Sequence, residues 1–184
     1  MRDLLYLIGK RRRQQLLALL AIAAATFGIS GCNKPAPPSS APATGPSLPT
    51  VAQPKLSTVK LWLGPEEINA ELALTFAQQE TGMMFRTNMD ENGGMLFPLA
   101  STQRAAFWMK NCPLPLSIAY INSAGVIEEI RDMQPNDTNN IISASANIRF
   151  ALETQQGWFT RHAIKPGTVV RTEHGSLMET FFRK

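Results

Sequence analysis

A change in composition after residue 32 most constrains the fold, because it limits the part of the chain that can build a core. From Asn33 to Ser57 the sequence is rich in Pro, Ala, Ser and Thr, with seven of the 13 prolines and no aromatic residue. Such a segment cannot bury enough apolar surface to offset the entropy lost on ordering. We therefore expect residues 32–57 to form a tether, residues 58–174 one domain, and residues 175–184 a C-terminal tail.

The segment before the tether has three parts in a fixed order. Lys10 and the three arginines at 11–13 precede an apolar run from Leu16 to Ile29, and Ile29-Ser30-Gly31-Cys32 follows. The run has 14 residues, whereas a helix needs about 20 residues to span a bilayer. Residues 1–31 resemble a bacterial lipoprotein signal peptide, which implies cleavage before Cys32 and lipidation of its thiol. An ordinary signal peptide cut nearby and an uncleaved anchor are the alternatives.

This reading implies a location in the cell envelope. The protein would be lipid-anchored and would face the periplasm, with the membrane as its first partner. Asn33, rather than Asp, follows Cys32, which favours the outer membrane.

The positive charge of the chain is confined to the signal-like segment. Residues 1–31 hold five of the 18 Lys and Arg and one of the 14 acidic residues, so the remainder carries 13 of each. Proteins that bind nucleic acid need clustered basic residues to displace counterions from phosphate. We therefore do not expect a nucleic-acid partner.

Alternating apolar residues predict a β-rich domain. Thr58–Leu63, a Gly64-Pro65 turn and the alternating residues up to Leu74 predict a hairpin. Thr75 and Gln78 have capping-box spacing, which predicts a helix from Phe76 to about Met84, and Asn92-Gly93-Gly94 is expected to break the chain. A second short helix is expected at Gln155–His162. Further strands are predicted at Met95–Phe97, Ala105–Cys112, Ser117–Asn122, Val126–Met133, Ile148–Thr154 and Thr168–Thr172. Many short strands with few helices indicate an α+β domain with a curled, largely antiparallel, barrel-like sheet.

Five ordered motifs resemble those of the DUF192 (UPF0127) family. They are Gly82–Arg86, Gly94–Phe97, Phe107–Cys112, Pro115–Asn122 and Gly157–Phe159. The resemblance spans about Val59 to Thr172 and implies a small, compact, β-rich and often exported domain, without an established activity. The family usually has Thr at the position of Cys112, and many members have a cysteine pair in the loop that corresponds to Gln134–Asn147, which is absent here.

A candidate ligand site centres on the strand predicted at Ala105–Cys112. Alternation would place bulky apolar groups on both of its faces, so we expect it to be buried. A buried Lys110 ammonium then needs a carboxylate, for which Glu80, Asp132 and Glu153 are candidates, or a wet cavity. Arg86 offers a planar fork for an anion, although a surface or helix-terminal position is the more common role of such an arginine. Convergent polar groups in an apolar setting are typical of ligand sites, so we expect Arg86, Trp108, Lys110 and Asn111 to bind a polar or anionic small molecule or a cell-wall fragment.

Two other functions stay open at this point. Cys112 near Lys110, with His162 and His174 elsewhere, suggests a hydrolase that uses Cys112 or a Lys110-centred site. A structural or partner-docking protein is the third interpretation, and Phe181 and Phe182 suit an interaction tail or a docked terminus. No phosphate loop, dinucleotide fingerprint or metal-ligand spacing is present, so no cofactor or metal is expected.

Overall fold

The computed structural model describes residues 48–183, and the predicted signal peptide and lipidation site at Cys32 lie outside them. The described residues form a β-rich α+β domain, as the sequence predicts. Its strands are β1 Thr58–Leu63, β2 Glu66–Leu72, β3 Gly93–Gln103, β4 Ala106–Phe107, β5 Leu116–Asn122, β6 Ile127–Met133, β7 Ile141–Ile142, β8 Ile148–Gln155, β9 Val170–Thr172 and β10 Gly175–Ser176. Its helices are α1 Phe76–Thr81, α2 Trp158–Arg161 and α3 Leu177–Phe182. No helix within residues 48–183 has the length and apolar character needed to cross a bilayer.

The predicted hairpin is confirmed as β1 and β2, which pair antiparallel with Leu63 opposite Glu66. Gly64 adopts φ +63° in the two-residue turn, a conformation that glycine reaches without a steric penalty. The buried residues of the two strands alternate with exposed ones, from Leu61 and Leu63 to Ile68 and Ala70. Alternation with a period of two therefore places one face of the hairpin in the core.

One eight-stranded sheet carries the fold, in the order β10-β9-β1-β2-β3-β8-β5-β6. Only β2 and β3 pair parallel; the other neighbours in this sheet are antiparallel. The sheet curls so far that the start of its edge strand β6 meets the chain before β9, through a bridge between Val126 and Val169. The result is the predicted curled, barrel-like sheet.

The two faces of the sheet carry separate apolar cores. One core contains Leu61, Ile68, Phe150 and Trp158, and α3 covers part of it through Phe181 and Phe182. The second contains Phe97, Met109, Cys112 and Tyr120. A small second sheet of β4 and β7 lies over this second core, where the Tyr120 hydroxyl donates to the Ile141 carbonyl at 2.6 Å.

Several predicted elements have different bounds. The capping box of Thr75 and Gln78 is present, but α1 ends at Thr81. Helix α2 likewise covers only Trp158–Arg161. The prediction that Asn92-Gly93-Gly94 breaks the chain is wrong at the glycines, because they begin β3. A Cβ on Gly94 would lie 2.8 Å from the Glu153 carbonyl oxygen, so glycine permits the close approach of β3 to β8 here.

The strand predicted at Ala105–Cys112 is wrong over most of its length. Only Ala106 and Phe107 are extended, and the chain then turns through Asn111 at φ +57°. A left-handed residue stops the alternation of faces, and asparagine tolerates that conformation better than most side chains. Trp108 is consequently 36% exposed instead of lying in a central strand.

Both ends of the domain extend beyond the predicted bounds. Gln53, assigned to the tether by composition, donates from Nε2 to the Gly82 carbonyl at 2.8 Å. The Leu56 amide donates to the Glu71 carboxylate at 2.7 Å. At the other end the Phe182 ring lies 5.7 Å from that of Phe150. Of the two possibilities for the C-terminal aromatics, the structure shows the docked terminus.

Candidate functional site

A polar groove of about 390 Å³ lies where β2 pairs with the start of β3. Its remaining wall is the turn and loop after α1. The polar and charged side chains that line it include Lys55, Asn69, Glu71, Arg86, Asn88 and Asp90. Gly93 and Gly94, at the start of β3, also line it.

Arg86 is held on one wall of the groove by Glu71. The two terminal guanidinium nitrogens of Arg86 donate to the two carboxylate oxygens of Glu71 at 2.9 and 2.8 Å. The Arg86 side chain is only 15% exposed and the Glu71 side chain 13%. This bidentate geometry is the strongest arrangement for an Arg–carboxylate pair. Arg86 Nε is buried and has no acceptor among the described residues. The Arg86 guanidinium, which was predicted to bind an anionic ligand, is therefore already paired with a carboxylate of the same domain.

Several other side chains of the polar groove are free to meet a ligand. Lys55, Asn69, Asn88 and Asp90 are exposed and line the groove, and none has a side-chain hydrogen bond or ion pair to another residue of 48–183. Together they present amide donors and acceptors, one carboxylate and one ammonium. The groove can therefore hydrogen-bond a polar molecule without breaking an existing contact.

A second, much smaller space of about 30 Å³ lies on the other side of Met83 and is called the Glu153 cavity here. Glu153 belongs to β8, is 4% exposed and lines this cavity, and its carboxyl group has no hydrogen-bond or ion-pair partner among the described residues. Desolvation raises the pKa of Glu153 to about 8, because burial disfavours the charged form.

Cys112 lines the same cavity and is 3% exposed. Burial, followed by the nearby Glu153 charge, raises the pKa of its thiol to about 12. A nucleophilic cysteine needs a thiolate at working pH, which positive or partly exposed surroundings supply. The surroundings of Cys112 do the opposite, so the free domain keeps a protonated thiol.

Trp108 and Lys110 lie at the partly exposed side of the Glu153 cavity. The Lys110 ammonium is 5.2 Å from the centre of the Trp108 ring, a cation–π distance. Lys110 makes no ion pair with Glu80, Asp132 or Glu153. Asp132 instead accepts a hydrogen bond from the Ser117 hydroxyl at 2.5 Å. Lys110 is therefore half-buried over an aromatic face, and no carboxylate within residues 48–183 pairs with it.

Asn111 lines neither the groove nor the Glu153 cavity. Its backbone carbonyl accepts from the Phe85 amide at 2.7 Å, and both residues have positive φ. This bond joins the turn after α1 to the turn before β5. Through its backbone, Asn111 thus connects the two turns that line the Glu153 cavity.

The ordered motifs identify the family. The DUF192 family, described as "Uncharacterized ACR, COG1430", matches residues 59–172. The chain belongs to this family.

Two solved structures resemble this DUF192 protein closely in fold. A "putative transcription regulator" from Sinorhizobium meliloti 1021 is 29% identical, with a TM-score of 0.62 over 65% of this chain and 97% of that one. A protein of unknown function from Novosphingobium aromaticivorans DSM 12444 is 30% identical, with a TM-score of 0.61 over 70% of this chain and 94% of that one. Comparison with curated proteins finds no match.

The DUF192 fold separates the four predicted ligand residues. Arg86 lines the polar groove, Trp108 and Lys110 line the Glu153 cavity, and Asn111 lies between them without facing either. Ligand contact by these residues remains a prediction.

Sequence reasoning missed the unpaired residues of the groove, which include Lys55, Asn69, Asn88 and Asp90, because nothing in their spacing shows that they converge. Glu153 was considered only as a partner of Lys110. A signal for its burial was present, since it occupies an inward position of the apolar strand β8.

Proposed function

We propose that this DUF192 protein is a lipid-anchored binding module of the cell envelope that holds a neutral polar ligand in the polar groove. The observation that carries this proposal is the set of unpaired polar side chains around one groove of suitable size. Ligand sites for small molecules have volumes of about 300–1,000 Å³ and a few convergent polar groups. The groove, at about 390 Å³, is within this range.

The charges around the groove favour a neutral ligand over an anionic one. Lys55 and Arg86 are balanced by Glu71 and Asp90, and the Arg86 guanidinium is already paired with Glu71. An anion would gain little from this balanced field and would face Asp90. A molecule rich in hydroxyl and amide groups, such as a saccharide of the cell wall, matches the available donors and acceptors.

The envelope location rests on the first 32 residues of the sequence. The basic start, the short apolar run and Ser30-Gly31-Cys32 support export and lipidation, and the Pro-rich segment that follows supports a tether. A ligand of the cell wall would be within reach of a domain held in this way.

The resemblance to a structure described as a transcription regulator does not lead us to propose nucleic-acid binding. Residues 32–184 carry equal numbers of basic and acidic side chains, and the polar groove is balanced in charge. A protein that contacts phosphate needs a basic surface.

Removal of groove amides is expected to weaken binding of a neutral saccharide. The full chain, in a detergent without a sugar head group, is titrated with di-N-acetylchitobiose in a calorimeter. Asn69→Ala and Asn88→Ala should each weaken binding about 5- to 10-fold, because each removes one hydrogen-bonding group worth about 1 kcal/mol.

Gln134→Ala provides the matched control, since Gln134 is an exposed amide outside the groove and its removal should leave affinity unchanged. An anionic muramic-acid disaccharide should bind no more tightly than the neutral one. Absence of binding by the neutral disaccharide, or an equal loss in Gln134→Ala, contradicts the proposal.

Replacing Cys32 with serine tests the anchor. Serine cannot carry a thioether-linked lipid, so Cys32→Ser should move the protein from the membrane fraction to a soluble or unprocessed form, while Cys112→Ser should leave it at the membrane. Metabolic labelling with a palmitate analogue and fractionation measure both effects. Lipidation would be excluded if the parent chain takes up no label and the Cys32→Ser variant is found in the membrane fraction to the same extent as the parent chain.

A further inference from the structure

Sulfur-containing side chains are concentrated around the Glu153 cavity. Met83, Met84, Met109 and Cys112 all line it, and each is at most 6% exposed. Two belong to the turn after α1 and two to the turn before β5, the segments joined by the Phe85–Asn111 hydrogen bond. Three methionines and one cysteine thus line a single small space.

Methionine often fills irregular gaps in a core, and Met95 and Met133 do so in the same core without lining the cavity. The cavity differs from an ordinary gap in the core because Glu153 also lines it. The Glu153 side chain is 96% buried, and its carboxyl group has no partner in the described chain. Buried polar groups in folded proteins nearly always have a partner. The space beside this carboxyl therefore has room for an occupant that the described chain does not supply.

The size of the cavity and the type of donor restrict that occupant. About 30 Å³ is enough for one water molecule or one ion and far below the usual volume of a small-molecule site. Thiolate and thioether ligands select soft Cu(I), whereas Mg²⁺ and Ca²⁺ prefer oxygen. No group of three or more His, Cys, Asp or Glu side chains in residues 48–183 is placed to hold a metal, so a site here depends on the methionines.

We propose that the Glu153 cavity binds one Cu(I) ion through the sulfur atoms of Cys112 and of the methionines at positions 83, 84 and 109. On binding, the S–H bond of Cys112 breaks, an S–Cu bond forms and the proton passes to solvent. Copper stays in the cuprous state throughout, so the step needs no oxidant or reductant. This site is separate from the polar groove and does not depend on its ligand.

Competition for Cu(I) tests the proposal. The full chain carrying Cys32→Ser, which leaves Cys112 as its one thiol, is titrated anaerobically against the Cu(I)–bicinchoninate complex. We expect one Cu(I) per chain and an ultraviolet Cu–thiolate absorption band. Loss of an indirect supporting group at a metal site costs about 10- to 100-fold in affinity, so loss of the thiolate in Cys112→Ser should cost at least about 100-fold and abolish the band.

Met109→Leu keeps the apolar volume but removes one thioether, and should weaken Cu(I) binding about 10-fold. Met133→Leu is the matched control, because Met133 is equally buried in the same core but does not line the cavity. Bound Cu(I) should also raise the melting temperature of the parent chain and of Met133→Leu. Failure of the parent chain to compete for Cu(I), or unchanged affinity in both Cys112→Ser and Met109→Leu, would overturn the proposal.

Discussion

The Glu153→Gln variant is expected to be more stable than the wild-type protein at pH 8 and nearly equal to it at pH 4.5. The pKa of Glu153 is raised from 4.5 to about 8 in the folded domain. Below pH 4.5 both folded and unfolded chains carry a protonated carboxyl group. As pH rises towards 8 the unfolded chain releases this proton while the folded chain retains it, so the free energy of unfolding falls.

A difference of one in pKa corresponds to about 1.4 kcal/mol, so the loss through this pH window is on the order of 4 kcal/mol. Glutamine has nearly the same shape and never ionises, so the variant should lack this loss. Urea unfolding at several pH values between 4.5 and 8.5, without metal, measures the difference between the two proteins. Glu80→Gln is the control, because Glu80 lines the same cavity but is not fully buried; it should keep the wild-type slope. If the free energy of unfolding depends on pH in the same way for the wild type and for Glu153→Gln, Glu153 is not buried as described.

Glu71→Ala is expected to destabilise the domain by about 3 kcal/mol, because it leaves the Arg86 guanidinium largely buried without its carboxylate. Removing one member of a buried ion pair costs about 3–5 kcal/mol, whereas replacing both members is far less harmful. Glu71 also accepts from the Leu56 amide, so the substitution loosens the end of the tether as well. Thermal unfolding should show a melting temperature lower by roughly 10 °C.

The double variant Glu71→Ala/Arg86→Ala should recover part of this loss, which a double-mutant cycle quantifies. Arg183→Ala removes one member of the exposed Arg183–Glu179 pair and should leave the melting temperature unchanged. A double variant that loses the full sum of the two single effects would argue against a coupled pair.

Local sequence patterns predicted most of the sheet because they act over a few residues. The hairpin of β1 and β2, the capping box at Thr75 and the alternation in β5 each depend on neighbours in the chain. The strand expected at Ala105–Cys112 failed because one left-handed residue, Asn111, reverses the chain there. Its carbonyl bonds to Phe85, 26 positions away, and no local pattern reports such a contact.

The candidate sites were harder to predict for the same reason. Arg86 and Trp108 were chosen for their chemistry, yet the side chain that determines the role of Arg86 is Glu71, on a different strand. Glu153 lies on β8 while the sulfur residues around it come from two turns. Pairing of β3 with β8 and packing of the turns over the sheet bring these groups together, and both are long-range features of the fold.

The point at which the Pro-rich segment joins the domain has a mechanical consequence. Lys55 lines the polar groove, Leu56 bonds to Glu71, and Gln53 holds the turn that carries Arg86. A pulling force along that segment would therefore act first on the residues that line the groove. A ligand bound in the groove would oppose this force through its contacts with the same residues. If the proposed ligand and tether are both correct, they meet the domain at the same place, so a force between them would not pass through the interior of the protein.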